Sequence, residues 1–169
     1  GACEWYASIA WTAARAGTGE SPKAAAIHNN LALLLRDRGE HKAARVELEN
    51  ALAIYRRAYG EDHYRTIGST QNLAAVMLDT GDIAGAQPLL ERTAAQNLRL
   101  FGTASSDYAN SQNMLGNIAR QQKRYDESIA YYARAAASYR AGLGDRHPYL
   151  AFPPYNMGET EFARGNYEV

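Results

Sequence analysis

Asn29, Gln71, Asn113 and Tyr155 stand 42 residues apart. Seven positions further on, Arg36, Leu78, Arg120 and Phe162 repeat the same spacing. Between them lie Leu33, Ala75, Asn117 and Glu159. At i, i+4 and i+7, each triplet falls on one face of a helix. An amide side chain carries both donors and an acceptor. A row of amides can therefore bond the backbone of an extended peptide, whatever its side chains. Arg36 and Arg120 would select an acidic group, and Leu78, Tyr155 and Phe162 an apolar one. Asn72, Asn110 and Asn156 flank this stripe. The chemistry read from these residues is a peptide groove of mixed polarity. Asn30, Asn72 and Asn156 have a second reading, as internal residues that bond the neighbouring repeat.

Other reactive residue types lack partners in sequence. There is no G-x-x-x-x-G-K-[ST], and the GTGES stretch at 17–21 lacks the lysine of a phosphate loop, so it reads as a turn. His63 and His147 share one turn position in different repeats, which suits helix capping better than metal chelation. His28 and His41 have no cysteine or carboxylate at ligand spacing. Cys3 is the single cysteine, so no internal disulfide forms, as expected in a reducing cytosol. Asp37 and Asp79 read as solvated residues near a helix end, and Tyr131, Tyr132 and Tyr139 as core. The expectation is a chain with no chemical step, no cofactor and no metal. Its 18 basic residues equal its 18 acidic ones, against the basic excess usual in nucleic-acid binders. No apolar run approaches the roughly 18 residues of a membrane span, and no signal peptide is visible. A cytoplasmic protein that binds another protein or peptide, with no nucleic-acid or membrane partner, is expected.

The elements that position these residues are set by the same period. Asn30-Leu31-Ala32 and Gly39 return as Asn72-Leu73-Ala74 and Gly81, then as Met114-Leu115-Gly116 and Lys123, then as Asn156-Met157-Gly158 and Gly165. A period of 20–50 residues marks a solenoid, which usually acts as an extended binding surface. Each copy reads as two helices. In the first copy one starts near Pro22 and ends near Gly39, and the other runs from about Lys42 to Ala58 with Ala44, Leu48, Ala51, Leu52 and Tyr55 inward. The next pairs fall near 64–79 and 83–100, then near 106–122 and 125–141. Lys123 takes a turn position held elsewhere by glycine. Pro153-Pro154 places the start of the last regular helix near Pro153, with 148–152 irregular. No segment alternates as a half-buried strand does. The predicted fold is an all-α, right-handed solenoid of stacked antiparallel helix pairs. It reads as one domain, 1–169, divided as 1–20 (second helix of a preceding partial repeat), 21–62, 63–104, 105–146 and 147–169 (partial). The aromatic ends, with Trp5, Tyr6 and Trp11 at one and Phe152, Tyr155 and Phe162 at the other, suggest a piece of a longer array or ends that pack on something.

The repeat resembles the tetratricopeptide repeat. Its leucine–small pair stands at Leu31-Ala32, Leu73-Ala74, Leu115-Gly116 and Met157-Gly158, and its second-helix pattern at Ala44/Leu48, Ala86/Leu90 and Ser128/Tyr132. The standard unit has 34 residues, so this one is longer by about one turn per helix. HNNLALLLRDRG, AQPLLERT and GDRHPYLA are similar to the kinesin-light-chain type, which is also common in bacterial signalling proteins. The resemblance implies that first helices line a concave groove and that the chain is a scaffold or adaptor. Alternatives are a ligand-sensing arm of a longer signalling protein with a kinase, NTPase or protease domain, its other domains then being partners, and, remotely, an enzyme. A carboxylate clamp found in a relative of this family uses a lysine where Asn29, Gln71, Asn113 and Tyr155 stand, so that clamp is not expected.

Overall fold

Ser21 opens the helix Pro22–Asp37 by accepting the Ala24 amide on its Oγ at 3.2 Å, and Pro22 occupies the first turn, where no N–H is needed. The computed structural model describes Ser8 and residues 21–165. The expected second helix of a partial repeat within 1–20, with Cys3, Trp5, Tyr6 and Trp11, lies outside the described residues except at Ser8, as does 166–169. The elements are α1 (Pro22–Asp37), α2 (His41–Tyr59), α3 (Tyr64–Asp79), α4 (Ile83–Phe101), α5 (Ser106–Gln121), α6 (Tyr125–Leu143), a 3-10 turn (Pro148–Ala151) and α7 (Phe152–Arg164). The first helices α1, α3 and α5 begin and end 42 residues apart, and so do the second helices α2, α4 and α6. Among the described residues there is no strand. The fold is an α-solenoid of helix pairs.

The turns explain the periodic glycines. Gly39, Gly60, Gly81, Gly102, Gly144 and Gly165 all have positive φ, and Lys123 adopts the same region at φ 59°. His63 and His147 cap the helices that follow, each accepting a backbone N–H on Nδ1 at 3.3 Å. Gly142 does not end its helix as the sequence suggested, because α6 continues to Leu143. A Cβ there would lie 2.0 Å from the Ala104 carbonyl oxygen, so glycine serves a close approach instead. Residues 148–151 form a regular 3-10 turn rather than an irregular stretch, and Pro153 falls in the first turn of α7.

The chain divides into two compact units, 1–86 and 87–169, within α4. Pro88, next to that division, leaves one gap in the helix's hydrogen-bond ladder. In the first unit α1 packs on α2 and α2 on α3. Ala32, Ala44, Leu48 and Val76 form a buried cluster there, with Leu35 and Leu73 partly buried against it. In the second unit α5 packs on α6 and α6 on α7. Gly116 admits the Tyr132 ring, since a Cβ at this position would lie 2.6 Å from it. Small and large residues thus trade places: Ala32 sits with Leu48, whereas Gly116 sits with the larger Tyr132.

Candidate functional site

The predicted binding stripe lies on the first helices. In the first unit, Asn29 Oδ1 accepts from Ser69 Oγ at 3.0 Å and from Asn72 Nδ2 at 3.2 Å. About two turns later, Arg36 donates to both oxygens of Asp79, through Nε at 2.5 Å and Nη2 at 3.3 Å. That hydrogen bond holds the Arg36 guanidinium above its ordinary pKa. Asp79, read from sequence as merely solvated, is therefore an ion-pair partner, with His41 Nδ1 also 3.9 Å away. His28 likewise finds a carboxylate that sequence spacing did not show, Glu47 Oε2 at 2.5 Å. Gln71 is 5% exposed and Leu78 half-buried. Asn30 is exposed.

The second unit repeats the pattern. Asn113 Oδ1 accepts from Asn156 Nδ2 at 3.1 Å. Asn117 Oδ1 accepts from the Tyr132 hydroxyl at 2.7 Å, and Asn110 Oδ1 from the Tyr139 hydroxyl. Arg120 Nη1 lies 3.6 Å from Glu159 Oε2. Tyr155 and Phe162 are open, at 67% and 65% exposure.

Two rules organise these contacts. Three of the first-helix pairs are separated by the period plus one: 29 with 72, 36 with 79, and 113 with 156. That offset was the sequence signal for Asp79, a residue of opposite charge 43 positions after Arg36. Second, Asn29, Asn110, Asn113 and Asn117 all accept a side-chain hydrogen bond on the carbonyl oxygen. Among the described residues none of their NH2 groups has a bond, and none is sealed without one. The amide row therefore presents donors. Asn72 and Asn156 are donors within it, the internal role that sequence left open.

Among the described residues no cluster of three or more histidine, cysteine, aspartate or glutamate side chains could hold a metal. No described helix is long and apolar enough to cross a membrane.

The tetratricopeptide repeat family profile matches residues 23–102 and 107–169, and the chain belongs to that family. Repeats of this family generally mediate protein–protein interactions as non-enzymatic scaffolds. Among solved structures, the chain is similar to BtubC (BKLC) from P. vanneervenii, with a TM-score of 0.74 at 21% identity over 88% of this chain and 59% of that one. It is also similar to a putative kinesin light chain with nearly identical TPR-like repeats from Podosopora anserina, with a TM-score of 0.74 at 20% identity over 86% and 69%. These likenesses establish the fold. The chain spans 59% of the length of the first of these structures. A comparison with curated proteins finds no match.

Proposed function

We propose that this chain is a scaffold or adaptor that binds an extended peptide segment along its first-helix face, on α5 and α7 in the second unit. One observation carries the reading: Asn110, Asn113 and Asn117 each turn the carbonyl oxygen inward, which leaves NH2 groups to meet a ligand. An extended peptide offers a regular series of carbonyl acceptors to such donors. Tyr155 and Phe162 supply an apolar contact for one of its side chains. Arg120 and Glu159, paired at 3.6 Å, are close enough to exchange that pairing for a charged group on the peptide. In the first unit, Asn29 and Arg36 offer the same types of group, with Asn72 bonded behind them.

The test keeps the acceptors and removes the donors. Asn113→Asp with Asn117→Asp retains an oxygen for Asn156 and Tyr132 but replaces both NH2 groups with carboxylate oxygen. Partners cross-linked through a photoreactive residue at Glu159 should be lost, or bind about tenfold more weakly. Unchanged partners and affinity, with helicity retained, would sink the proposal.

A further inference from the structure

We infer that the opposite face of α5 carries a second docking groove, which takes an amphipathic helix presenting a large apolar residue beside an acidic one. The groove lies between α4 and α6 in the second unit, with Tyr108 of α5 in its floor. Tyr108 and Gln112 point away from the Asn113 and Asn117 stripe, since they occupy the other side of the same helix. Two hollows of about 270 and 360 Å³ make up the groove and share Tyr108 and Arg134.

Small residues stand on both walls of the groove. Ala95 stands on one side, Ala137 and Ala141 on the other. Leu98 is 41% exposed on the α4 wall. In register, the sister helices α2 and α6 carry Arg56 and Arg140 at that position. A leucine thus faces solvent where both relatives within the chain keep a charge. From Tyr131 to Ala141 the α6 wall is about 15 Å long at 1.5 Å per residue, room for roughly three helical turns.

Arg134 supplies the charge that chooses the occupant. Its guanidinium stacks over the Tyr131 ring at 4.6 Å and donates from Nε to Gln112 Oε1 at 2.7 Å. Both partners are neutral. Arg36, Arg120 and Arg140 each have a carboxylate within 4 Å, and among the described residues Arg134 has none. Glu91, on the α4 wall, is engaged by Gln87 Nε2 at 2.8 Å. The guanidinium is therefore held in place with its terminal nitrogens unused, an arrangement that suits a carboxylate. An acidic side chain on the partner fits this cation, and its apolar neighbour fits the Leu98–Tyr108 hollow.

The probe is a labelled, roughly 14-residue helical peptide with two leucines and a glutamate on one face, titrated against the whole chain by fluorescence anisotropy. Two control peptides carry Glu→Lys or Leu→Ser. Leu98→Arg installs the residue of the sister helices, so its fold should persist, and circular dichroism checks this for each variant. The parent should bind the glutamate peptide with a Kd below about 1 mM. Leu98→Arg and Arg134→Glu should each weaken it about tenfold or more, and Arg134→Glu should recover the lysine peptide. The double aspartate variant at 113 and 117 should bind it unchanged, which separates this groove from the first-helix face. No binding up to about 1 mM, or equal binding by folded variants, overturns the inference. So does sedimentation showing that Leu98 is instead covered by a second copy of the chain.

Discussion

Tyr132 shows how single side chains divide the work between fold and site. Its ring fills the space that Gly116 leaves, and its hydroxyl orients Asn117. Converting Asn117 to alanine would remove both the external donor and the acceptor of a buried hydroxyl, at about 1–3 kcal/mol. This is why aspartate is the better probe of binding. Lys123 sits in the left-handed region at φ 59°, where a side chain costs about 1–2 kcal/mol. Lys123→Gly should raise the thermal midpoint, and an unchanged or lower midpoint would show that the backbone is not strained there. Two leucines of one buried cluster also differ in consequence. Leu48 is fully buried, whereas Leu73 is only partly covered. Leu48→Ala should cost about 2–5 kcal/mol in urea melts, and Leu73→Ala distinctly less.

At the scale of elements, two glycines of similar appearance have opposite roles. Gly158 lies inside α7 with nothing within 4 Å of a built Cβ. Gly158→Ala should therefore stabilise the protein by about 0.5–1 kcal/mol through the backbone entropy of the unfolded chain. Gly142 lies inside α6 against the backbone of Ala104. Gly142→Ala should destabilise by about 1–3 kcal/mol, although alanine is the better helix former. Paired thermal melts read both signs at once. Helix lengths and turns were legible from the sequence because local rules set them: proline in a first turn, glycine at positive φ, histidine as a cap. The extension of α6 through Gly142 was not legible, since the approach of Ala104 arises only when the third pair closes.

For the molecule as a whole, alkaline pH offers a readout of the second unit's tyrosines. Burial pushes the phenols of Tyr131 and Tyr132 above their ordinary pKa. Burial, reinforced by Tyr149 and Asp107, pushes Tyr139 up to about 12. Folding thus favours the protonated phenol. The associated stability is complete below pH 10, the ordinary tyrosine value, and is lost as pH rises from there toward 12. Urea midpoints should hold to that point and then fall, and Tyr139→Phe should flatten the fall. An equal decline in the variant would place the alkaline sensitivity elsewhere. The repeat and the helix pairs were determined by the sequence alone, because periodicity and turn chemistry are local properties that survive reading one copy at a time. Tertiary structure decided what those residues offer. It buried Gln71, gave Arg36 to Asp79, and engaged the carbonyl oxygens of Asn110, Asn113 and Asn117 with Tyr139, Asn156 and Tyr132. It also left Arg134 among neutral partners. Which atom of an amide is used, and which charge is matched, depends on contacts between residues distant in sequence, and those exist only once the helices pack.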